Sequence, residues 1–304
     1  MKSQFDRIPI VCTSKWDIIG SLVNCLMINE TEHPIDVRHE KIRRLACLTL
    51  NNLSIPKENK SIMILGCHAK PLLQSLTHVI KMQDAETSYL CIICLMNLSF
   101  LPDGIEPILT FSPQIENDSN QGMNIPFGRN SIDPRDWEKF PTSAVVRPTR
   151  APTPPRQRRS NTPLPYLDDP NSLLRSLESL MRDHQPFLMS KTYSVEGEAI
   201  RWSVGLLRNL TKKNKHCSII SKTEIPALLL GCLEKTPHPT TKWDKDTIED
   251  MTLTVLDQLA GSSVGRQNLK QIGAILIIQN IKSVSSKTQV VDRKISSILQ
   301  SLHH

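Results

Sequence analysis

Cys91-x-x-Cys94 has the spacing of a redox dithiol or of half a zinc site. Its neighbours are Ile92, Ile93 and Leu95, no second CxxC follows, and His33, His39, His68, His78, His184, His216 and His238 form no ligand pattern. The pair therefore reads as the interior of an apolar helix, where a free thiol behaves as a small hydrophobe. No Walker loop, GxSxG elbow or HExxH pair occurs, so neither an enzyme nor a cofactor or metal site is expected. The other chemistry-bearing residues are amides. Asn52, Asn97, Asn209 and Gln258 close four related runs, LTLNNLS ending at Ser54, ICLMNLS at Ser99, GLLRNLT at Thr211 and TVLDQLA at Ala260. A primary amide offers donors and an acceptor together, so a ladder of them can pair with the backbone of an extended peptide whatever its side chains.

The elements that must carry these amides are helices. Asn52 and Asn97 stand 45 residues apart and Asn209 and Gln258 stand 49 apart, close to the roughly 40–47-residue period of two- and three-helix repeats. The gap of 112 between Asn97 and Asn209 falls to 54 once residues 113–170 are set aside as an insertion. Leu and Ile dominate the apolar positions and aromatics make up only 4%, which favours helices over strands. In the unit after Ser54 a short first helix, a Gly corner and a second helix opening on Pro are legible, whereas after Ser99 the short first helix is missing. Glu58-Asn59-Lys60, Gly66 and Pro71-Leu72-Leu73 fill these places, and Pro226-Ala227-Leu228-Leu229 echoes the last. Gly suits a corner because it accepts positive φ, and Pro suits a first turn because its missing N–H costs nothing there.

The register of these motifs resembles armadillo repeats. The resemblance covers residues 14–112 and 171–304 and implies an all-α, right-handed α-solenoid of armadillo-type, ARM/HEAT-like repeats. Two stretches lie outside it, a flexible leader at 1–13 and the insertion at 113–170. The insertion holds eleven of the twenty-one prolines, and five Arg without an acid fall between Arg147 and Arg159. Such a Pro/Arg-rich segment cannot bury enough apolar area to offset its ordering entropy and is expected to be disordered. It suits a linker, a nuclear-localisation patch or a kinase substrate at Thr153-Pro154 or Thr162-Pro163.

Within the array a first helix is expected from Ser14, with Trp16, Ile19, Leu22, Val23 and Leu26 at helical spacing. A third helix is expected over 85–98, and Pro107-Ile108-Leu109 as the start of a second helix completed by LLRSLESLM. A helix start with acids at its positive end is expected at Asp168-Asp169-Pro170. Third helices follow from Glu196 to Leu210 and over DTIEDMTLTVLDQLAG, and VVDRKISSILQSL closes the array with a polar side.

In the armadillo family the Asn near the end of the third helix lines a concave groove, which is what the resemblance implies for Asn52, Asn97 and Asn209, with Gln258 in the same register. Arg44, Tyr89, Arg201 and Asp250 stand eight residues earlier and share that face if the helices are regular, with Trp202 beside Arg201. The alternative for each Asn is a structural hydrogen bond to the end of a neighbouring helix. Importin-alpha members carry a Trp four residues before the Asn. Here Leu48, Ile93, Gly205 and Thr254 hold those places, which weakens a nuclear-import reading.

The net charge of +7 lies mainly in residues 171–304. Eight scattered cysteines make no disulfide framework, and no apolar run suits a signal peptide or a membrane span. Five N-x-S/T matches, at Asn29, Asn52, Asn97, Asn117 and Asn209, include three that are the repeat motif itself. The expectation is an intracellular protein-interaction scaffold or adaptor, in cytoplasm or nucleus, that binds an extended segment of a protein partner. The alternative is a nucleic-acid-binding helical repeat using Arg44, Arg201, Arg208 and Lys212-Lys213-Lys215, against which stands the scarcity of aromatics to stack on bases.

Overall fold

A computed structural model describes residues 17–27, 37–82, 84–113, 169–170, 172–189, 194–235, 248–284 and 289–303. The expected leader, Trp16, the 28–36 connection and nearly all of the Pro/Arg-rich insertion lie outside the described residues. Fourteen helices fall among those described. They are α1 (Ile18–Leu26), α2 (Val37–Leu53), α3 (Lys57–Leu65), α4 (Ala69–Lys81), α5 (Ala85–Ser99), α6 (Ile105–Thr110), α7 (Leu173–His184), α8 (Val195–Leu210), α9 (Asn214–Ile220), α10 (Ile225–Lys235), α11 (Ile248–Ala260), α12 (Ser263–Gln271), α13 (Ala274–Val284) and α14 (Gln289–His303).

The helices pack in three rows. One row is α2, α5, α8, α11 and α14, each against the next, and the first four of these helices carry the amide motifs. A second row is α1, α4, α7, α10 and α13, again in succession, and each of its members lies on the adjacent member of the first-named row. The short helices α3, α6, α9 and α12 make the third. Row order explains composition. α5 has neighbours on nearly every side and buries Leu90, Cys91, Ile92, Cys94, Leu95, Met96 and Leu98. α14, at the end of its row, buries only the stripe Val291, Ile295, Ile298 and Leu302. Full burial of a Leu or Ile contributes about 1.5–3 kcal/mol, so the dry seams between rows supply most of the cohesion.

Side-chain caps fix several helix starts. Asp17 Oδ1 accepts from the Gly20 N–H at 2.8 Å, Asp84 from Thr87 at 2.9 Å, and Ser194 and Ser262 from Gly197 and Gly265 at 3.0 Å each. Each such cap is worth about 1 kcal/mol. The Asp17 cap corrects the expected start at Ser14, since α1 begins at Ile18.

Three further expectations change. Gly66 ends α3 with φ −81°, so positive φ is not its reason; a Cβ there would stand 2.3 Å from the Ile62 carbonyl oxygen, and the requirement is close approach. Among the described residues the left-handed glycine is Gly273, φ +76°, between α12 and α13. Pro107-Ile108-Leu109 belongs to α6, in the row of short helices. The turn Pro102–Gly104 ahead of it packs on α3, and Glu106 meets Lys215 and His216 of α9, with the His216 ring 3.0 Å away. The second helix of that unit is α7 alone. It starts at Leu173 under Ser172, while Asp169 turns back to accept a hydrogen bond from the Ser112 hydroxyl, both residues buried. The 113–170 insertion thus leaves and rejoins the array at one point, between a first and a second helix.

Candidate binding strip along the third helices

The tripeptide motif is a joint between helices. In α2 the Ser54 hydroxyl donates to the Asn51 carbonyl at 2.6 Å, closing the last turn, and its oxygen accepts from Asn97 Nδ2 of α5 at 3.0 Å. Asn97 Nδ2 also donates to Asn51 Oδ1 at 3.1 Å. One unit later, Ser99 donates to the Met96 carbonyl at 2.6 Å and accepts from Asn209 Nδ2 of α8 at 3.0 Å. In the third joint Thr211 meets the Gln258 side-chain oxygen of α11. The hydroxyl satisfies its own helix end and the amide of the next unit together, which is why Ser or Thr accompanies Asn at this spacing.

The fourth copy ends in Ala260, without a hydroxyl, and the last joint uses other groups. Lys294 of α14 donates to Asp250 Oδ1 and Thr254 Oγ1, each at 2.7 Å, and Ser297 donates to Asp257 Oδ1 at 2.7 Å.

These bonds decide what each expected groove residue can offer. Asn209 is 1% exposed and its amide is spent between helices, so as placed it meets no ligand. Asn97 and Gln258 are half-buried, and Asn52 is exposed. The register eight residues earlier is open in all four helices. Arg44 is exposed and ion-paired with Glu86 across α2 and α5, whereas Tyr89, Arg201 and Asp250 are half-buried. Arg201 lies 3.3 Å from Glu198 and 5.4 Å over the Trp202 ring, whose Nε1 donates to Glu198 Oε2 at 3.1 Å. Leu48 and Ile93, four residues before their amides, are exposed and half-buried respectively. Gly205 fills that place in α8 and is buried. A Cβ on it would stand 3.2 Å from the Met96 sulfur, so a Trp has no room there.

Cys91 and Cys94 are fully buried in α5. The Cys91 sulfur lies 3.4 Å from that of Cys47 in α2, and Cys94 faces the Leu50 carbonyl at 3.7 Å. Burial pushes the Cys91 thiol well up and the Cys94 thiol to about 12, which keeps both protonated and poorly nucleophilic. Among the described residues no group of three His, Cys, Asp or Glu is placed to hold a metal, and no helix is long and apolar enough to cross a membrane.

Two features were missed by sequence reasoning. The carbonyl at the end of three of the third helices, α2, α8 and α11, is capped from six residues on: Asn59 Nδ2 donates to Leu53 at 3.0 Å, Cys217 Sγ to Thr211 at 3.0 Å and Arg266 Nη1 to Ala260 at 3.2 Å. The three donors share no side-chain type, and only their equal spacing gave a signal. The other is Phe100, 49% exposed, with the ammonium groups of Lys60 and Lys212 at 5.2 and 5.7 Å from its ring centre. Those lysines come from different units and no local pattern joins them.

No protein-family model matches the chain, and no curated protein matches its sequence. Solved structures of similar arrangement include two crystal structures of engineered proteins. One is 12% identical, with a TM-score of 0.40, covering 95% of this chain and 97% of that chain; the other is 11% identical, with a TM-score of 0.39, covering 94% and 98%. A third comes from work on a phosphorylation switch that controls the interaction between cadherin and beta-catenin; it is 11% identical with a TM-score of 0.46, covering 95% of this chain and 55% of that one.

Proposed function

We propose that the chain is an armadillo-type right-handed α-solenoid acting as a non-enzymatic scaffold, holding an extended segment of another protein along the row α2, α5, α8, α11 and α14 inside the cell. The observation that carries this reading is the shared register of Arg44, Tyr89, Arg201 and Asp250. Each stands on a separate third helix and is at least partly open to solvent, and together they line one level of the row with a ring at Tyr89 and ion-paired charges at Arg44, Arg201 and Asp250. Asn52 and the side-chain oxygen Oδ1 of Asn97 add backbone-reading groups to the same strip.

The nucleic-acid alternative draws less support, because Arg44, Arg201 and Lys215 are paired with Glu86, Glu198 and Glu106. Selection of unstructured peptides from a display library on the full chain tests the proposal. Enriched peptides should bind several-fold more weakly to Tyr89→Ala and Trp202→Ala. Failure to enrich any peptide, or binding indifferent to both changes, would overturn it. Tight binding to a generic single-stranded oligonucleotide with a steep salt dependence would favour the alternative instead.

A further inference from the structure

We propose that the outer side of α2 is a second interaction surface, which receives an amphipathic helix with an acidic rim from a partner protein. The surface borders the strip at α2, where Arg44 and Asn52 belong to both, and is told apart from it by Tyr89 and Trp202, which stand on α5 and α8. The argument begins with register. Cys91, Cys94 and Asn97 face α5 toward α2, as their contacts with Cys47, Leu50 and Ser54 show. In the interior of the row most positions on that side are buried, Leu90 and Cys94 in α5, Leu206 and Asn209 in α8, Met251 and Val255 in α11, and the remaining three, Asn97, Trp202 and Gln258, are half-buried.

The α2 equivalents of Leu90, Cys94 and Asn97 are Leu45, Thr49 and Asn52, and all three are exposed, Leu45 at 62% and its neighbour Ile42 at 40%, while Ala46, the equivalent of Cys91, is turned into the core. α2 therefore presents a helix-stacking side, complete with its ladder amide, to which no described helix is docked. Single exposed apolar residues are ordinary; several in the register that elsewhere makes the helix joint are not.

Charge selects the occupant. α2 carries Arg38, Lys41, Arg43 and Arg44 against Glu40 alone among acids; Arg38 and Lys41 are exposed, Arg44 is exposed and pairs with Glu86 of α5, and Arg43 is buried. A second copy docking α2 on α2 would set these cations against one another, whereas a helix flanked by Asp or Glu would meet them favourably. By analogy with the Ser54–Asn97 joint, the incoming helix would place a Ser or Thr hydroxyl opposite Asn52.

The probe is a synthetic helical peptide with Leu at three- and four-residue spacing, one Ser near its C-terminal end and glutamates on both flanks; its twin has lysines for the glutamates. With the full chain, fluorescence anisotropy should show the acidic peptide binding roughly tenfold or more tightly than the twin. Leu45→Glu should weaken it by about tenfold with unchanged melting, because the residue is surface, and Lys41→Glu should shift preference toward the twin. Tyr89→Ala and Trp202→Ala should leave this binding intact, so the surface stands or falls apart from the strip. Equal binding of both peptides, binding of neither, or loss with Tyr89→Ala would overturn the proposal. So would a doubling of the chain's mass that Leu45→Glu abolishes, or a photo-cross-linker at position 45 that captures residues 1–16 of the same chain.

Discussion

The joint between α5 and α8 and the joint between α11 and α14 occupy corresponding places in one row, yet they are built from different materials. The first is dry. Met96, Leu206 and Asn209 are buried, and Gly205 lets the Met96 sulfur come within 3.2 Å of where a Cβ would stand, with the Met251 sulfur 3.9 Å away on the other side. A single amide-to-hydroxyl bond registers it. The second joint is polar and partly wet, with Lys294 bridging Asp250 and Thr254 and Ser297 reaching Asp257. Joints in the middle of a row can specialise in apolar burial because helices on both sides exclude water. The last joint has water on one side, where charge is cheap to keep hydrated, and it can use ions for register at little desolvation cost.

The largest expected effect breaks the dry joint. Leu206→Ala removes a fully buried side chain and should destabilise the chain by about 2–5 kcal/mol in urea unfolding; a loss below about 1 kcal/mol would mean that α5 and α8 do not pack as described. Next comes Asn209→Ala, which deletes the buried amide facing Ser99 and should cost about 1–2 kcal/mol. A double-mutant cycle with Ser99→Ala should show the two effects to be non-additive, and strict additivity would deny the ladder. Smaller still, Lys294→Ala at the polar joint should cost about 1 kcal/mol at low salt and less at high salt. A salt-independent loss would show that the aliphatic stem of Lys294, and not its charge, is what matters there.

Acidification sharpens the same contrast through His184 in α7, which is buried and whose pKa is lowered first by that burial, against the opposing pull of Glu196 and Asp183. A histidine with a depressed folded-state pKa is taken up as neutral, so the unfolded chain binds the proton first. Stability should therefore fall as pH drops below about 6.5 toward the folded-state value. His184→Leu should flatten the melting temperature between about pH 7.5 and pH 5.5, and an unchanged slope would assign the acid sensitivity elsewhere. The smallest effect is expected at the free end of the ladder. Asn52→Ala should move stability by less than about 0.5 kcal/mol, because Asn52 is exposed and closes no joint with another described helix.

Most helices were legible from spacing: α5, α8 and α14 fall within a few residues of where apolar periodicity placed them. The direction of the amides was harder to read. An Asn four or five residues from a helix end can serve a peptide backbone or a neighbouring helix equally well, and only the distance between two third helices decides. The deciding clue was in the text, since the three copies that end in Ser or Thr are those whose hydroxyl receives a later amide, and Ala260 receives none. Pro107 misled for a related reason. A six-residue helix with Pro in its first turn reads like any second-helix start, and the assignment of α6 rests on Glu106 meeting α9 more than a hundred residues on. Gly66 illustrates a third limit, because a glycine required by a nearby carbonyl looks the same in sequence as one required by its φ.

The buried bond between Ser112 and Asp169 makes the array indifferent to the length of what it encloses. A segment that departs and returns through one pinned neck adds no register constraint to the helices around it, and doubling such a loop costs only about 0.6 kcal/mol in closure entropy. The neck is in this sense a socket. Shortening the chain between residues 114 and 168 is therefore expected to leave the melting temperature of the helices unchanged, and a large drop would show that more than this neck holds α6 and α7 in place.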